Sequence, residues 1–276
     1  MSSSRWQIIG RAATLRTECL TATVDPDNPA AGLRVESLCG NAVAGVALFG
    51  VQIASSVPAA ATTQAAAAPV DCFARGNDFV ATYAETADRP FRAQIYWRLV
   101  DDETGGGHRT EPFAALELIV SVQTSRLDSD TSLAVCTTLT GVESWRMLDA
   151  ADDRLAPDCD PSANDLSQRK SPGGDPVVPK FHASDSPGCC LFRPIGSGPS
   201  YIEMVHPADF RQTTFEWMAD SSPIVRLSHR LFAERLEKGV ILRSRIRGLF
   251  IARSHDTETA RTEYRRFAAS EPPLTA

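Results

Sequence analysis

The sequence has no CxxC pair, no GxxxxGK[ST] phosphate loop, no GxSxG nucleophile elbow and no apolar run approaching the ~20 residues of a membrane-spanning helix. Each absence removes a class of function. The seven cysteines (Cys19, Cys39, Cys72, Cys136, Cys159, Cys189 and Cys190) follow neither zinc-ligand spacing nor a disulfide framework, and they read as free thiols in a reducing compartment. Cys159, His182, Cys189 and Cys190 cluster along the chain, but vicinal cysteines seldom share a tetrahedral site, so no metal is expected. The longest apolar run, Ala42 to Ala54, is broken by Gln52 and is expected to form a buried strand pair bending near Gly50. The opening residues MSSSRWQIIGRAATLRTE meet charge early and contain no apolar leader core, so the chain is expected in the cytoplasm and off the membrane. Two glycine-rich stretches, Thr104 to His108 and Gly173-Gly174, open no strand-to-helix unit and read as connections. No fixed-period repeat occurs, which counts against a propeller.

Positive charge is in short supply. With 28 Lys and Arg against 34 Asp and Glu, a net charge of −6 and a pI near 5.4, the chain lacks the cationic excess from which nucleic-acid binders draw affinity. What positive charge there is concentrates from Arg226 to Arg266, while Asp149 to Asp165 is acidic. A hydrophobic content of 43% over 276 residues supports a sizeable core without metal or disulfide staples, and nothing requires a cofactor.

What the sequence has in plenty is alternation. In Phe91 to Val100, Phe91, Ala93, Ile95, Trp97 and Leu99 fall on one face and Arg92, Gln94, Tyr96 and Arg98 on the other, the period of a half-buried antiparallel strand. Leu116 to Val122 and Leu133 to Leu139 behave alike, which predicts three consecutive meander strands. Thr14 to Val24 reads as a strand in hairpin with Leu33 to Leu38, and Val57 to Val70 as an alanine-rich connection. Further strands are expected over Cys189 to Ile195, Ser200 to Val205, Thr213 to Met218, Ile224 to His229 and Val240 to Arg253, with a short helix at Leu231 to Lys238. Asp256 can cap a C-terminal helix in which Ala260, Tyr264 and Phe267 recur at helical spacing. The expected fold is therefore all-β: one large antiparallel β-sandwich over residues 1–276, with a C-terminal helix and an irregular insertion at about 148–188.

Two constellations could carry chemistry. Arg243, Arg245 and Arg247 occupy alternate positions of VILRSRIRG, so in a strand their guanidinium groups leave one face. They could bind a carboxylate, a phosphate or sugar hydroxyls; the plainer expectation is that they face carboxylates of this same chain. Tyr96 and Arg98 form a second polar face of the kind on which sugars stack. In SYIEMVHPADF, Tyr201 and Glu203 share a face, with Tyr201 a candidate ligand contact, and Glu203 with His206 could do acid/base work if Pro207 turns the imidazole around; otherwise Glu203 and His206 are structural.

The segments LEKGVILRSRIRGLF and SYIEMVHPADF, with the closing EPPLT, resemble a bacterial protein family that carries no assigned activity. The strand-rich layout resembles the supersandwich domains of the galactose-mutarotase type, which implies sugar binding or sugar chemistry by analogy of fold. The expected function is a binding protein for a carbohydrate, another anionic small molecule or a protein partner. One alternative is an epimerase- or lyase-like enzyme using His206 and Glu203 with an arginine, and another is a structural or assembly role.

Overall fold

The computed structural model describes residues 4–53, 68–100, 113–131, 133–148, 180–182, 188–218, 223–232 and 235–271. The alanine-rich connection, both glycine-rich stretches and most of the 148–188 segment lie outside them. In chain order the strands are β1 Trp6–Ile9, β2 Ala12–Arg16, β3 Leu20–Val24, β4 Leu33–Leu38, β5 Asn41–Ala42, β6 Val46–Gln52, β7 Asp71–Arg75, β8 Asp78–Tyr83, β9 Arg92–Leu99 and β10 Ala114–Gln123. They continue as β11 Asp128–Asp130, β12 Leu133–Thr140, β13 Val142–Met147, β14 Lys180–His182, β15 Cys189–Pro194, β16 Ser200–Val205, β17 Gln212–Met218, β18 Ile224–Leu231, β19 Arg235–Glu237 and β20 Ile241–Ile251. One helix, α1, spans Asp256–Ala269.

These strands make an all-β sandwich. The first sheet runs β1-β2-β3-β4-β6-β12-β18-β17-β14, with β5 paired to β4; the second runs β13-β15-β16-β20-β10-β9-β8-β7. All pairings are antiparallel, and β11 with β19 forms a small separate ladder. Alternation explains the packing. Ala93, Ile95, Trp97 and Leu99 of β9 and Leu116, Leu118, Val120 and Val122 of β10 meet Leu133, Val135, Val225 and Leu227 of the first sheet in one continuous core. Trp145 stacks on Phe215 across the sandwich with ring centroids 4.4 Å apart.

Several sequence expectations are revised. The strand beginning at Leu133 does not continue the meander of β9 and β10: it crosses to the first sheet, between β6 and β18, since alternation specifies a buried face but not which sheet supplies it. Ala42 to Ala54 holds one long strand, β6, with a bulge opposite Cys136 and Thr138, where Phe49 adopts a φ of 60°. Thr14 to Val24 is two strands, because Thr17 folds back to accept the backbone N–H groups of Cys19 and Leu20. Leu231 to Lys238 contains the end of β18 and the strand β19 in place of a helix, since Leu236 is drawn into the core opposite Ser129.

Helix α1 packs on the outer side of the second sheet. Ala260, Tyr264 and Phe267 meet Leu191, Ile202, Met204, Leu249 and Ile251, side chains that point away from the sandwich interior. Its start differs from expectation: His255, at φ 62°, is the N-cap residue, and the buried Asp256 carboxylate instead pairs with Arg193 at 2.7 Å and accepts from Ser200 at 2.7 Å.

Candidate functional site

The register of the second sheet brings the two separate sequence leads onto one surface. Glu117 on β10 lies between Arg98 of β9 and Arg247 of β20; Ile119 lies between Tyr96 and Arg245; Ser121 lies between Gln94 and Arg243. All nine side chains share one side of the sheet by strand alternation, and it is the side on which α1 sits. The three arginines of β20, which the sequence places together, thus join Tyr96 and Arg98, more than 140 residues earlier in the chain.

Electrostatics organise this face around Glu117. Arg247 donates to its Oε1 at 2.9 and 3.2 Å, Arg245 lies 3.8 Å away and Arg98 3.9 Å away. Arg98 also makes a two-pronged bridge to Asp78, at 2.7 and 3.1 Å. The expectation that the β20 arginines face carboxylates of this chain therefore describes Arg247 directly, and Arg98, outside that expectation, is paired in the same way. Arg245 and Arg247 also lie over the ring of Phe267, 4.6 and 4.8 Å from its centroid, so the helix floors part of the cationic patch. Arg245 donates to Ser270 Oγ at 2.8 Å, and burial pulls its guanidinium below the ordinary value while Glu117 opposes that shift. Arg243 and Tyr96 are half-buried, and the Tyr96 hydroxyl donates to Gln94 at 2.6 Å.

Glu203 and His206 are not brought together. Glu203 points between the sheets with Tyr201, whereas His206 lies at the end of the outer face, where its N–H meets the Arg245 carbonyl at 3.1 Å. Its ring stands edge-on to Phe267 and its Nε2 is 3.3 Å from the Ser270 carbonyl. Pro207 follows the strand without swinging the imidazole to the Glu203 side. Beside His206, Asp209 accepts the backbone N–H of Arg245 at 3.0 Å, and burial holds its carboxyl above the usual range against that hydrogen bond and the nearby His206 and arginines.

Glu203 belongs to a second cluster, entirely inside the sandwich. It accepts from Tyr201 and Thr137 at 2.6 Å each and meets His229 Nε2 at 2.9 Å, while His229 Nδ1 pairs with Thr213 at 2.8 Å. Both Glu203 and His229 are 0% exposed, and every carboxylate oxygen has a partner from the opposite sheet or its own strand. The arrangement clamps β16 to β12, β17 and β18. Tyr201, read from sequence as ligand-facing, is part of it.

Sequence reasoning missed Glu117, Asp209 and His229. A signal existed for two of them: Glu117 is the one charged residue of β10, and His229 is the one polar residue among Val225, Leu227, His229 and Leu231, the inward positions of β18. Cys189 and Cys190, weighed together as metal ligands, are fully buried and enter different apolar clusters on opposite faces of β15, with burial pushing the Cys189 thiol up to about 12. Among the described residues no group of three or more His, Cys, Asp or Glu side chains could hold a metal ion, and no helix is long and apolar enough to cross a membrane.

No protein-family model matches this sequence, and no curated protein sequence matches it. Solved structures do. A proposed aldose 1-epimerase of Escherichia coli K12 superposes with a TM-score of 0.51 at 10% identity, covering 86% of this chain and 97% of that one. A galactose mutarotase-related enzyme of Lactobacillus acidophilus matches with a TM-score of 0.49 at 8% identity, covering 86% and 96%. At such identities the likeness is one of fold: this chain shares the strand arrangement of the E. coli protein, in keeping with the supersandwich resemblance.

Proposed function

We propose that this chain binds a sugar bearing an anionic group on the outer face of its second sheet and acts on it as an aldose-epimerase-type enzyme. The observation that carries the reading is the convergence of Arg98, Arg245, Arg247 and Tyr96 on adjacent rows of that face. Guanidinium forks offer fixed donors to a phosphate, a carboxylate or ring hydroxyls, and the Tyr96 ring offers a surface to C–H groups. The fold shared with a proposed aldose 1-epimerase supports the chemical half of the reading.

Exchange of anomers needs a base that takes the proton of the anomeric hydroxyl and an acid that protonates the ring oxygen as the ring C–O bond opens; reclosure from the other side reverses both transfers. His206 and Asp209 stand together at the end of the arginine face, and the raised Asp209 carboxyl suits the acid. Glu203, enclosed and fully hydrogen-bonded, is assigned to the interior clamp.

Calorimetric titration with an aldohexose and with its 6-phosphate, alongside NMR measurement of anomer exchange, tests both halves. The phosphorylated sugar should bind at least tenfold tighter than the neutral one, Arg247→Ala should erase that difference, and Asp209→Asn should abolish exchange while binding persists. Binding without exchange in the unmodified protein leaves a carbohydrate-binding protein and removes the enzyme. Failure to bind either sugar removes both.

A further inference from the structure

The strand pair β3 and β4 sets two cysteines opposite each other at its end, outside the proposed sugar face. Leu20 pairs with Leu38 and Thr21 with Ser37, so the same register sets Cys19 opposite Cys39, and the Cys39 N–H donates to the Cys19 carbonyl at 2.7 Å. Directly opposed residues of an antiparallel pair have Cα atoms about 4.5–5.5 Å apart, inside the range that a disulfide bridges. The side chains of such an opposed pair leave the same side of the ladder. Cys39 is exposed and Cys19 half-buried, so a small reagent can reach the pair.

The residue chosen at position 39 is itself informative. Cys39 and Gly40, with φ of 48° and 79°, form the two-residue turn between Leu38 of β4 and Asn41 of β5. A turn with two positive φ angles favours Asn, Asp or Gly at its first position, where a cysteine brings strain and no compensating local hydrogen bond. A thiol kept there against that preference points to a use for the sulfur.

We infer that Cys19 and Cys39 form a reversible disulfide that staples β3 to the turn after β4, made by exchange with a low-molecular-weight disulfide. The Cys39 thiolate attacks one sulfur of that reagent, forming a mixed disulfide and releasing one thiol. The Cys19 thiolate then attacks Cys39 Sγ, closing the protein bond and releasing the second thiol; two electrons and two protons leave the protein, and the reagent is reduced. Burial, then the hydrogen bond and charge of Cys19, raise the Cys39 thiol above its ordinary range. Closure therefore quickens as pH rises through and above that range, and the formed bond, with a poor leaving group at Cys39, resists reduction.

The test equilibrates the full native chain with mixtures of reduced and oxidised glutathione, blocks remaining thiols, and maps linkages by mass spectrometry after trypsin, which cuts between the two at Arg34. The tryptic peptide with Cys39 also carries Cys72, so fragmentation must place the link. The expected result is a Cys19 to Cys39 bond and a melting temperature about 5 °C higher in the oxidised protein. Cys39→Asn, which suits the turn and so keeps the fold, should show neither. Retention of both thiols in the most oxidising mixture, separate glutathione adducts on each, or a link to Cys72 would overturn the inference.

Discussion

Glu117 is only 3% exposed, and Arg98, Arg245 and Arg247 stand around it on two neighbouring strands. Its replacement by Gln keeps the shape but leaves three partly buried cations facing a neutral amide, and should cost about 3 kcal/mol, read from the urea midpoint at constant slope. A loss below about 1 kcal/mol would mean that solvent already screens the cluster. Inside the sandwich, Tyr201→Phe removes one short hydrogen bond to the Glu203 carboxylate and should cost about 2 kcal/mol in the same measurement. Glu203→Gln should cost more, since the amide NH2 meets donors where a carboxyl oxygen accepted. Both positions show how far single residues could be read. Alternation marked the faces of Glu203 and Tyr201 correctly, but the partners Thr137 and His229 lie 66 and 26 residues away from Glu203, and no spacing rule connects them.

Among the elements, β20 serves three roles at once: Arg243, Arg245 and Arg247 build the cationic face, Leu249 and Ile251 on the same side lie under α1, and its even residues face the core. Gly248 is the exception that permits this: a Cβ there would lie 2.5 Å from the Tyr201 hydroxyl oxygen and 2.8 Å from Phe49. Gly248→Ala should therefore destabilise by about 2 kcal/mol and displace the Tyr201 ring, visible as a changed tyrosine signal in near-ultraviolet circular dichroism. Helix α1 is tied down differently. Burial alone would raise the Asp256 carboxyl, but hydrogen bonds from Arg193 and Ser200 outweigh it and hold the group below the usual range. A depressed folded-state value means that this anchor is fully present above about pH 4–5 and is lost as pH falls below about 4. Asp256→Asn should flatten the acid limb of the stability curve in that window while leaving the neutral-to-alkaline limb unchanged in shape. If the two acid limbs coincide, the anchor contributes nothing to acid sensitivity.

At the scale of the whole molecule, α1 covers the β15, β16 and β20 part of the outer face of the second sheet, and the arginine rows of β9, β10 and β20 lie beside it, partly under Phe267. Truncation after Arg253 would bare Leu191, Ile202, Met204, Leu249 and Ile251, a contiguous apolar surface, and the shortened chain should self-associate in size-exclusion chromatography. A monomeric truncation would show that the helix is dispensable as a cover. Patterning by itself determined the inner and outer residues of strands such as β9 and β10, through a period of two, and the terminal helix, through its helical spacing, because these depend on which neighbours a few positions away share a face. Only the tertiary structure decided that Leu133 changes sheets, that Tyr96 joins Arg245 and Arg247, and that His206 parts from Glu203. Those outcomes rest on pairings between strands distant in the chain, and any sheet that buries an apolar face satisfies the local pattern equally well.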